Sequence, residues 1–403
     1  MPEFTITRLG LKGDGIAGSD IFAPFTLPGE KIEGAATKGQ IIGTRLSDSP
    51  DRVAPVCQHF GACGGCTLQH ASDSFLAAWK TEIIERALAA QGLETDFRPV
   101  DTSPPASRRR ATFSARRTKK TTQIGFHKRG SGEIFALKEC PLLMPAILES
   151  LPACHALTGI GTSRKGEIKI SVTQSAAGPD IDVREAKELD GPLRARLATL
   201  AAEFNLARLT WNGEQIADRK RPVQPMGKAE VLPPAGAFLQ ATPQGQAALV
   251  AAMQEAVTGA KRVVDLFAGC GTFALPLAER AEVHAVEGIP EMLKALDAGW
   301  RFSSGLKTVS TEARDLFTRP LLPLELRKFD AVVIDPPRAG AKAQMAQIVA
   351  SDIRLVGAVS CNPVSFARDA KILTDGGFTL DWVKPVDQFR WSGHVELAAK
   401  FSR

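Results

Sequence analysis

The stretch Leu355-Val356-Gly357-Ala358-Val359-Ser360-Cys361-Asn362-Pro363 decides how the chain is read. Residues 355–359 are apolar and predict a buried strand; after Pro363 a helical pattern runs toward Thr374. Cys361 therefore stands where a strand ends and a helix begins. In an open α/β sheet that edge is where ligands bind. Proline at the first helical position is pre-organised there and lacks only an N–H that would have no partner anyway. The positive end of the helix is expected to lower the thiol pKa and favour the nucleophilic thiolate. A small buried cysteine without a chemical role is the other reading of this stretch alone.

Working outward, residues 236–403 alternate helix and strand. Helical spacing over 244–258 is followed by a strand at 262–267, the turn Ala268-Gly269-Cys270-Gly271-Thr272, and a helix to about residue 280. Strands are predicted again at 282–287, 307–310 and 329–335, with a helix at 290–302. This alternation implies a mainly parallel sheet. The glycine turn lets backbone N–H groups approach an anionic ligand group. Glu287 ends the next strand about 20 residues on, where a carboxylate binds ribose hydroxyls. The turn lacks the third glycine of a dinucleotide fingerprint. That points away from NAD and toward a nucleoside without pyrophosphate, such as S-adenosylmethionine. Asp335-Pro336-Pro337-Arg338 brings a carboxylate to the strand end beside Cys361. Residues 377–386 and 394–401 are expected to pair antiparallel. There His394-Val395-Glu396 carries a second carboxylate, either a general base or an ordinary surface glutamate.

The chain has 403 residues, 44% apolar and 23% charged, with a formal charge of +6. Such a composition is globular, long enough for two or three domains, and permits a polyanionic partner. The first ten residues lack the charged segment and apolar core of a signal peptide. No apolar run approaches the roughly 18 residues of a membrane helix. A cytoplasmic protein with no membrane contact is expected, in which the seven cysteines serve as ligands or reactive thiols rather than disulfides. Residues 1–50 hold short apolar runs broken by Gly and Pro, as in a small barrel of the OB type, which often binds oligonucleotides, or in a structural cap. Cys57, Cys63 and Cys66 follow C-x5-C-x2-C spacing, and Cys140 lies 74 residues further on. Three clustered cysteines and a remote fourth favour an iron–sulfur cluster over structural zinc; spacing alone leaves both open, and unliganded thiols too. Between Ser107 and Lys120 seven cations fall in fourteen residues, interleaved with Ala111, Phe113 and Ala115. The pattern reads as a strand that contacts phosphates, or as a solvated charged edge.

Together these motifs resemble the RNA uracil-5-methyltransferase family, in particular its iron–sulfur, TRAM-containing members that modify large-subunit ribosomal RNA. The resemblance covers nearly the whole chain. It is strongest at residues 57–66, Cys140-Pro141, Phe238-Leu239-Gln240, Asp265-Leu266-Phe267, Glu287-Gly288, Asp335-Pro336-Pro337-Arg338-Ala339-Gly340, Ser360-Cys361-Asn362-Pro363 with Arg368-Asp369, and Phe401-Ser402-Arg403. Thr242, Thr272, Arg390 and Ser392 depart from the family pattern. The resemblance implies an α/β protein in three parts: a TRAM barrel of the OB type over 1–50, a central α+β iron–sulfur and RNA-binding domain over 51–235, and a Rossmann-like class I methyltransferase domain over 236–403. Cys361 would be the nucleophile and Glu396 the base. Gln240, Phe267, Thr272, Glu287, Asp315 and Asp335 would line the S-adenosylmethionine site. Cys57, Cys63, Cys66 and Cys140 would hold a [4Fe-4S] cluster. The partner would be RNA, 23S ribosomal before transfer RNA, and the enzyme a monomer. Phe113, Phe389 and Trp391 are candidates for stacking on unpaired bases. An adenine amino-group methyltransferase would need an aromatic where Arg338 stands, and a non-catalytic RNA-binding relative would have no need of Cys361 or Glu396.

Overall fold

The computed structural model describes residues 1–164 and 166–403. Strands β1 (Glu3–Leu9), β2 (Gly15–Ala17), β3 (Ile21–Ala23), β4 (Lys31–Thr37) and β5 (Gln40–Arg45) close into a barrel in the order β1-β2-β3-β5-β4. Its interior is small, built on Ile6, Ala17, Ala23, Ile32 and Ile41. Gly34 and Gly43 let β4 and β5 run unusually close: a Cβ at either would sit 2.3 or 2.2 Å from a carbonyl oxygen opposite. Fully buried Glu30 ties the barrel to the next segment. Its carboxylate accepts from Arg52 Nε at 2.5 Å and Nη2 at 2.8 Å, and from the Leu27 and Ser49 N–H groups.

Helix α1 (Asp73–Ala89) begins at Ser72, whose hydroxyl accepts from the Phe75 N–H and so satisfies one of the helix's orphan donors. Two short strands follow, β6 (Asp96–Phe97) and β7 (Asp101–Thr102). The middle sheet comprises β8 (Arg110–Arg117), β9 (Thr122–His127), β10 (Ile134–Ala136), β11 (Glu167–Ser175), β12 (Gly178–Arg184), β13 (Arg208–Trp211) and β14 (Glu214–Asp218), in the order β10-β9-β8-β11-β12-β13-β14. Helices α2 (Pro145–Glu149), α3 (Leu151–Gly161) and α4 (Gly191–Glu203) accompany it. Alternation in β8 turns Ala111, Phe113 and Ala115 into the core.

The basic run does not form the continuous phosphate-contacting strip expected of it. Arg109 is buried, and donates to the Gln240 carbonyl at 3.0 Å and to Gln246 Oε1 at 2.6 Å. Arg110 donates to the Gly236 carbonyl at 2.9 Å. Two of the seven cations thus brace the middle sheet against the C-terminal part. Only Arg116, Arg117, Lys119 and Lys120 remain exposed, at the end of the hairpin. Phe113 and Trp391 are 0% and 5% exposed, so neither is a stacking platform.

A hairpin of β15 (Gln224–Met226) and β16 (Ala229–Val231) leads into the C-terminal part. There α5 (Pro243–Ala256), β17 (Arg262–Leu266), α6 (Ala274–Leu277), β18 (Glu282–Glu287), α7 (Pro290–Arg301), β19 (Val309–Ala313), α8 (Pro323–Leu326), β20 (Ala331–Ile334), α9 (Lys342–Val349), β21 (Leu355–Ser360), α10 (Pro363–Asp375), β22 (Thr379–Asp387) and β23 (Glu396–Ser402) follow in order. The sheet order is β19-β18-β17-β20-β21-β23-β22-β6, and β7 also pairs with β22. Strands β19 to β21 in that order are parallel, and β23 inserts antiparallel between β21 and β22. Val264, Leu266, Val332 and Ile334 face α1, α9 and α10; Val263, Ala331 and Val333 face the opposite layer of α5 to α7. One helix layer and one sheet edge thus come from residues 73–102, far earlier in the chain. Among the described residues, no helix is long and apolar enough to cross a membrane.

Lys80 of α1 and Asp387 at the end of β22 are 0% and 2% exposed, and meet at 2.6 Å. Lys80 also donates to the Phe389 carbonyl at 3.2 Å. Removing one partner of such a pair strands the other charge without water, at about 3–5 kcal/mol. Urea unfolding is expected to give Lys80→Met a loss of that size. The double variant Lys80→Met/Asp387→Leu is expected to recover most of it.

Candidate active site

Strand β21 delivers Cys361 to the sheet edge, as its sequence requires. Asn362 caps α10 by accepting from the Val364 N–H at 3.1 Å, with Pro363 at the first helical position. The neighbouring strand β20 ends just before Asp335, and the loop after it is bound to the first turns of α10. Asn362 Nδ2 and Ser365 Oγ donate to the Arg338 carbonyl at 2.9 and 3.0 Å. Arg368 donates to the Ala339 carbonyl at 2.9 Å, and the Ala341 N–H donates to buried Asp369 at 2.6 Å. Gly340 has φ +74°, and a Cβ there would lie 2.4 Å from Asp369, so this position needs glycine. The two motifs at 335–340 and 360–363 are one mechanical unit.

Glu396 opens β23 and is 4% exposed. Pairing of Ser360 with Leu397 sets it next to the strand end that carries Cys361. Burial pushes its carboxyl up to about 8; Asp335 adds to the rise and a hydrogen bond from Gln388 opposes it. Burial likewise pushes Asp335 up to about 7. Beneath them lies Asp265, 0% exposed. Burial, with the Asp335 and Glu287 carboxylates, raises its pKa well above the usual range, against a backbone hydrogen bond from Ala274. Cys361 departs from the expectation of a depressed pKa: burial raises it, Glu396 and Asp335 add to the rise, and Arg338 opposes it. Desolvation and two acidic neighbours outweigh the helix end in this state.

Gln240, 2% exposed, faces Asp335 through Nε2 at 3.5 Å. Its Oε1 accepts from Gln388 Nε2, which also donates to Glu396 Oε2. Around the glycine turn, Phe267, Gly269 and Gly271 have φ of +62°, +54° and +95°. Glu287 closes that turn, accepting from the Gly269 and Ile289 N–H groups at 3.0 Å each. Phe267 packs against Phe317 with ring centroids 5.4 Å apart. Exposed Asp315 accepts from the Phe317 N–H and the Thr318 hydroxyl at 2.9 Å each, which keep its pKa low. Thr272 is part-buried at the end of the turn. The expected cofactor residues therefore fall in two places: Gln240 and Asp335 beside Glu396, and Phe267, Thr272, Glu287 and Asp315 about the glycine turn.

Cys57, Cys63, Cys66 and Cys140 line one cavity of about 340 Å³, together with His59, Arg108, Phe389 and His394. Burial pushes the Cys66 thiol up to about 12, and the other three cysteines add to that rise. Zinc–sulfur bonds near 2.3 Å put tetrahedral ligands about 3.8 Å apart. Among the described residues, the one group of three metal-ligating side chains within 4.8 Å of one another is Cys57, His59 and Glu139. The four thiols spread more widely than a single zinc ion would hold them.

No family model matches the chain. RNA methyltransferases of Rhizobium meliloti and Caulobacter vibrioides are 42% and 43% identical to it, with coverage of 99% of each chain and 100% of each chain respectively. The 23S rRNA (uracil(1939)-C(5))-methyltransferase RlmD of Edwardsiella ictaluri is 33% identical over 98% of this chain and 94% of its own length. The chain belongs to the RNA uracil-5-methyltransferase family. The crystal structure of Pyrococcus abyssi tRNA (uracil-54, C5)-methyltransferase in complex with S-adenosyl-L-homocysteine shares the fold: TM-score 0.79, 22% identity, 99% of both chains.

Within this uracil-5-methyltransferase framework, sequence reasoning passed over Gln388 and Lys80, and read Arg109 as a phosphate contact where it is a buried brace. Lys80 carried a signal, since it occurs at helical spacing among Leu76, Trp79, Ile83 and Ile84 on the apolar face of α1. The raised carboxyl of Glu396 has a thermodynamic consequence. A folded-state pKa of about 8 against an ordinary 4.5 gives stability that is present below 4.5 and lost as pH rises toward 8. Glu396→Gln has no such loss. Its melting temperature is expected to exceed the wild type's by a few degrees at pH 8 and by less at pH 5, in paired thermal scans.

Proposed function

We propose that this protein methylates carbon 5 of a uridine in RNA, using S-adenosylmethionine, with 23S ribosomal RNA as the substrate. The observation that carries this reading is the convergence of Cys361, Glu396 and Asp335 at the ends of adjacent strands, two of them as buried carboxyls with raised pKa values. The similarity to RlmD supports 23S over transfer RNA.

Carbon 5 of uracil is too weak an acid to be methylated directly. The Cys361 thiolate adds to carbon 6 and makes carbon 5 nucleophilic. S-adenosylmethionine supplies the methyl group, and its loss to carbon 5 leaves one proton on that carbon. Glu396 takes the proton, and Cys361 leaves by elimination, regenerating the thiolate. Asp335 and Gln240 are suited to hydrogen-bond the polar edge of the base. The base must leave its stack to reach the thiol, at a few kcal/mol, least in a loop. For the cofactor, the turn at 268–272 offers backbone N–H groups, Glu287 a ribose-binding carboxylate, and Phe267 with Phe317 an apolar wall; buried Asp265 has unspent acceptor capacity beneath the turn. Cys57, Cys63, Cys66 and Cys140, which line one cavity, would hold a [4Fe-4S] cluster. Its role would be to brace Phe389, Arg390, Ser392 and His394, which line the same cavity. No step of the methyl transfer moves an electron.

Mass spectrometry of nucleosides from a deletion strain tests the reaction. 5-Methyluridine is expected to disappear from large-subunit RNA; its loss from transfer RNA alone would move the substrate. Cys361→Ala is expected to abolish turnover, and retained activity would remove the nucleophile. Because Glu396 must be ionised to act and its pKa is about 8, kcat/KM is expected to rise with pH and to level off above that value. Protein isolated without oxygen is expected to carry iron and acid-labile sulfide in equal amounts, and no zinc.

A further inference from the structure

Five groups, from residues 240, 242, 335, 388 and 396, form one directed hydrogen-bond chain that includes the candidate base. The Thr242 backbone N–H donates to Gln388 Oε1 at 3.3 Å. A backbone N–H can only donate, so the Gln388 side chain must turn its oxygen to Thr242 and its NH2 group the other way. That NH2 group donates to Gln240 Oε1 at 2.5 Å and to Glu396 Oε2. With its own oxygen so engaged, Gln240 must present its NH2 group to Asp335 Oδ2, 3.5 Å away. Gln388, Gln240, Thr242 and Glu396 are all 4% exposed or less, which leaves water little part in these bonds. Thr242 itself is fixed: its hydroxyl caps α5 by accepting from the Gly245 N–H at 2.9 Å and pairs with Ser103 at 2.7 Å.

We propose that Gln388 is a positioning residue for the proton-removal step, holding Glu396 by one oxygen so that the other is free to take the proton from carbon 5. This rests on the reading of Glu396 as the base. Glu396 Oε1 makes no hydrogen bond among the described residues, while Oε2 is occupied by the amide. The titratable groups acting with Glu396 are Asp335 from the end of β20 and Cys361 from the end of β21; both are acids, and Arg338 opposes the rise at the thiol. At Glu396 itself, the Gln388 amide is the one contribution that lowers the carboxyl pKa. An amide suits this place better than a cation would: it donates a hydrogen bond, orients the carboxyl, and does not fix its charge. The same amide ties the base to Gln240, and through it to Asp335. One side chain thus sets the geometry of both carboxyls.

The test compares the wild type, Gln388→Met and Gln388→Leu, all as the full-length loaded enzyme on a 23S RNA fragment containing the target uridine. Two readouts are taken. The first is the pH profile of 5-methyluridine formation. The second is the rate of covalent adduct formation on the same RNA carrying 5-fluorouridine. With fluorine in place of hydrogen at carbon 5, Cys361 adds and the methyl group transfers, but no proton is left for a base to remove, so the adduct accumulates. Both variants are expected to slow turnover on uridine roughly 10- to 100-fold and to move the rising limb of the profile toward alkaline pH. Adduct formation is expected to stay within about threefold of the wild type, which also reports that the variants fold. An unshifted profile, or parallel loss of turnover and adduct formation in both variants, would overturn the assignment. A wild type that makes neither 5-methyluridine nor adduct would instead overturn the reading of the function.

Discussion

The Lys80 ammonium and the Asp387 carboxylate lie 2.6 Å apart with almost no water near them. Such a pair is held only by geometry, because each charge has lost its hydration. Its importance lies in what it joins. Lys80 belongs to the helix that covers one face of the C-terminal sheet; Asp387 ends the strand from which residues 388–395 run to Glu396. That connecting segment is held on several sides. The Thr67 and Leu68 N–H groups both donate to the Trp391 carbonyl at 3.0 Å, Arg390 binds Asp73, and Gly393 fits against the barrel at Leu11, where a Cβ would lie 2.5 Å from a carbonyl oxygen. The barrel, the cysteine cavity and α1 all meet the chain at the segment that leads to Glu396.

Such bracing answers a local conflict. Asp265, Asp335 and Glu396 are carboxyls in one poorly hydrated region, with a half-buried thiol beside them. Like charges there repel one another, and each ionised form lacks solvent. A scaffold that did not confine these groups would let them swing toward water and relax. The strain has to be carried by interactions elsewhere, as functional sites commonly require. The fastening of residues 336–341 to α10 through Arg368 and Asp369 does the same for the other side of the site.

The parts of this arrangement that were legible in the sequence are those with local chemistry. Cys361 could be placed because an apolar run and a Pro lie on either side of it. Glu287 and the glycine turn were readable for the same reason. Glu396 needed the pairing of two strands, but its motif stands at the start of an apolar run. The basic run misled because counting charges says nothing about depth: Arg109 finds its acceptors at residues 240 and 246, more than 130 positions away. The thiol pKa misled in the same way, since the helix end is local while Glu396 and Asp335 arrive by tertiary folding. Gln388 was invisible, because its meaning depends on residues 240, 242 and 396 arriving together. The four cysteines were legible as one constellation, and they do line one cavity; that Phe389, Arg390, Ser392 and His394 line it too was not legible.

The sheet edge formed by β6 and β7, and the helix layer formed by α1, carry a consequence for how the chain is made. Both are synthesised roughly 300 residues before β22, the strand they cover or pair with; Lys80 and Phe389 are 309 positions apart. During translation the apolar face of α1, with Leu76, Trp79, Ile83 and Ile84, waits for a partner that the ribosome has not yet produced. The last strands to emerge, β22 and β23, complete the sheet and the site at once. Folding dominated by such distant contacts is slow, and its intermediates expose surface that can aggregate. The C-terminal part cannot be cut away as an independent module, because one helix of its covering layer and one edge of its sheet come from residues 73–102.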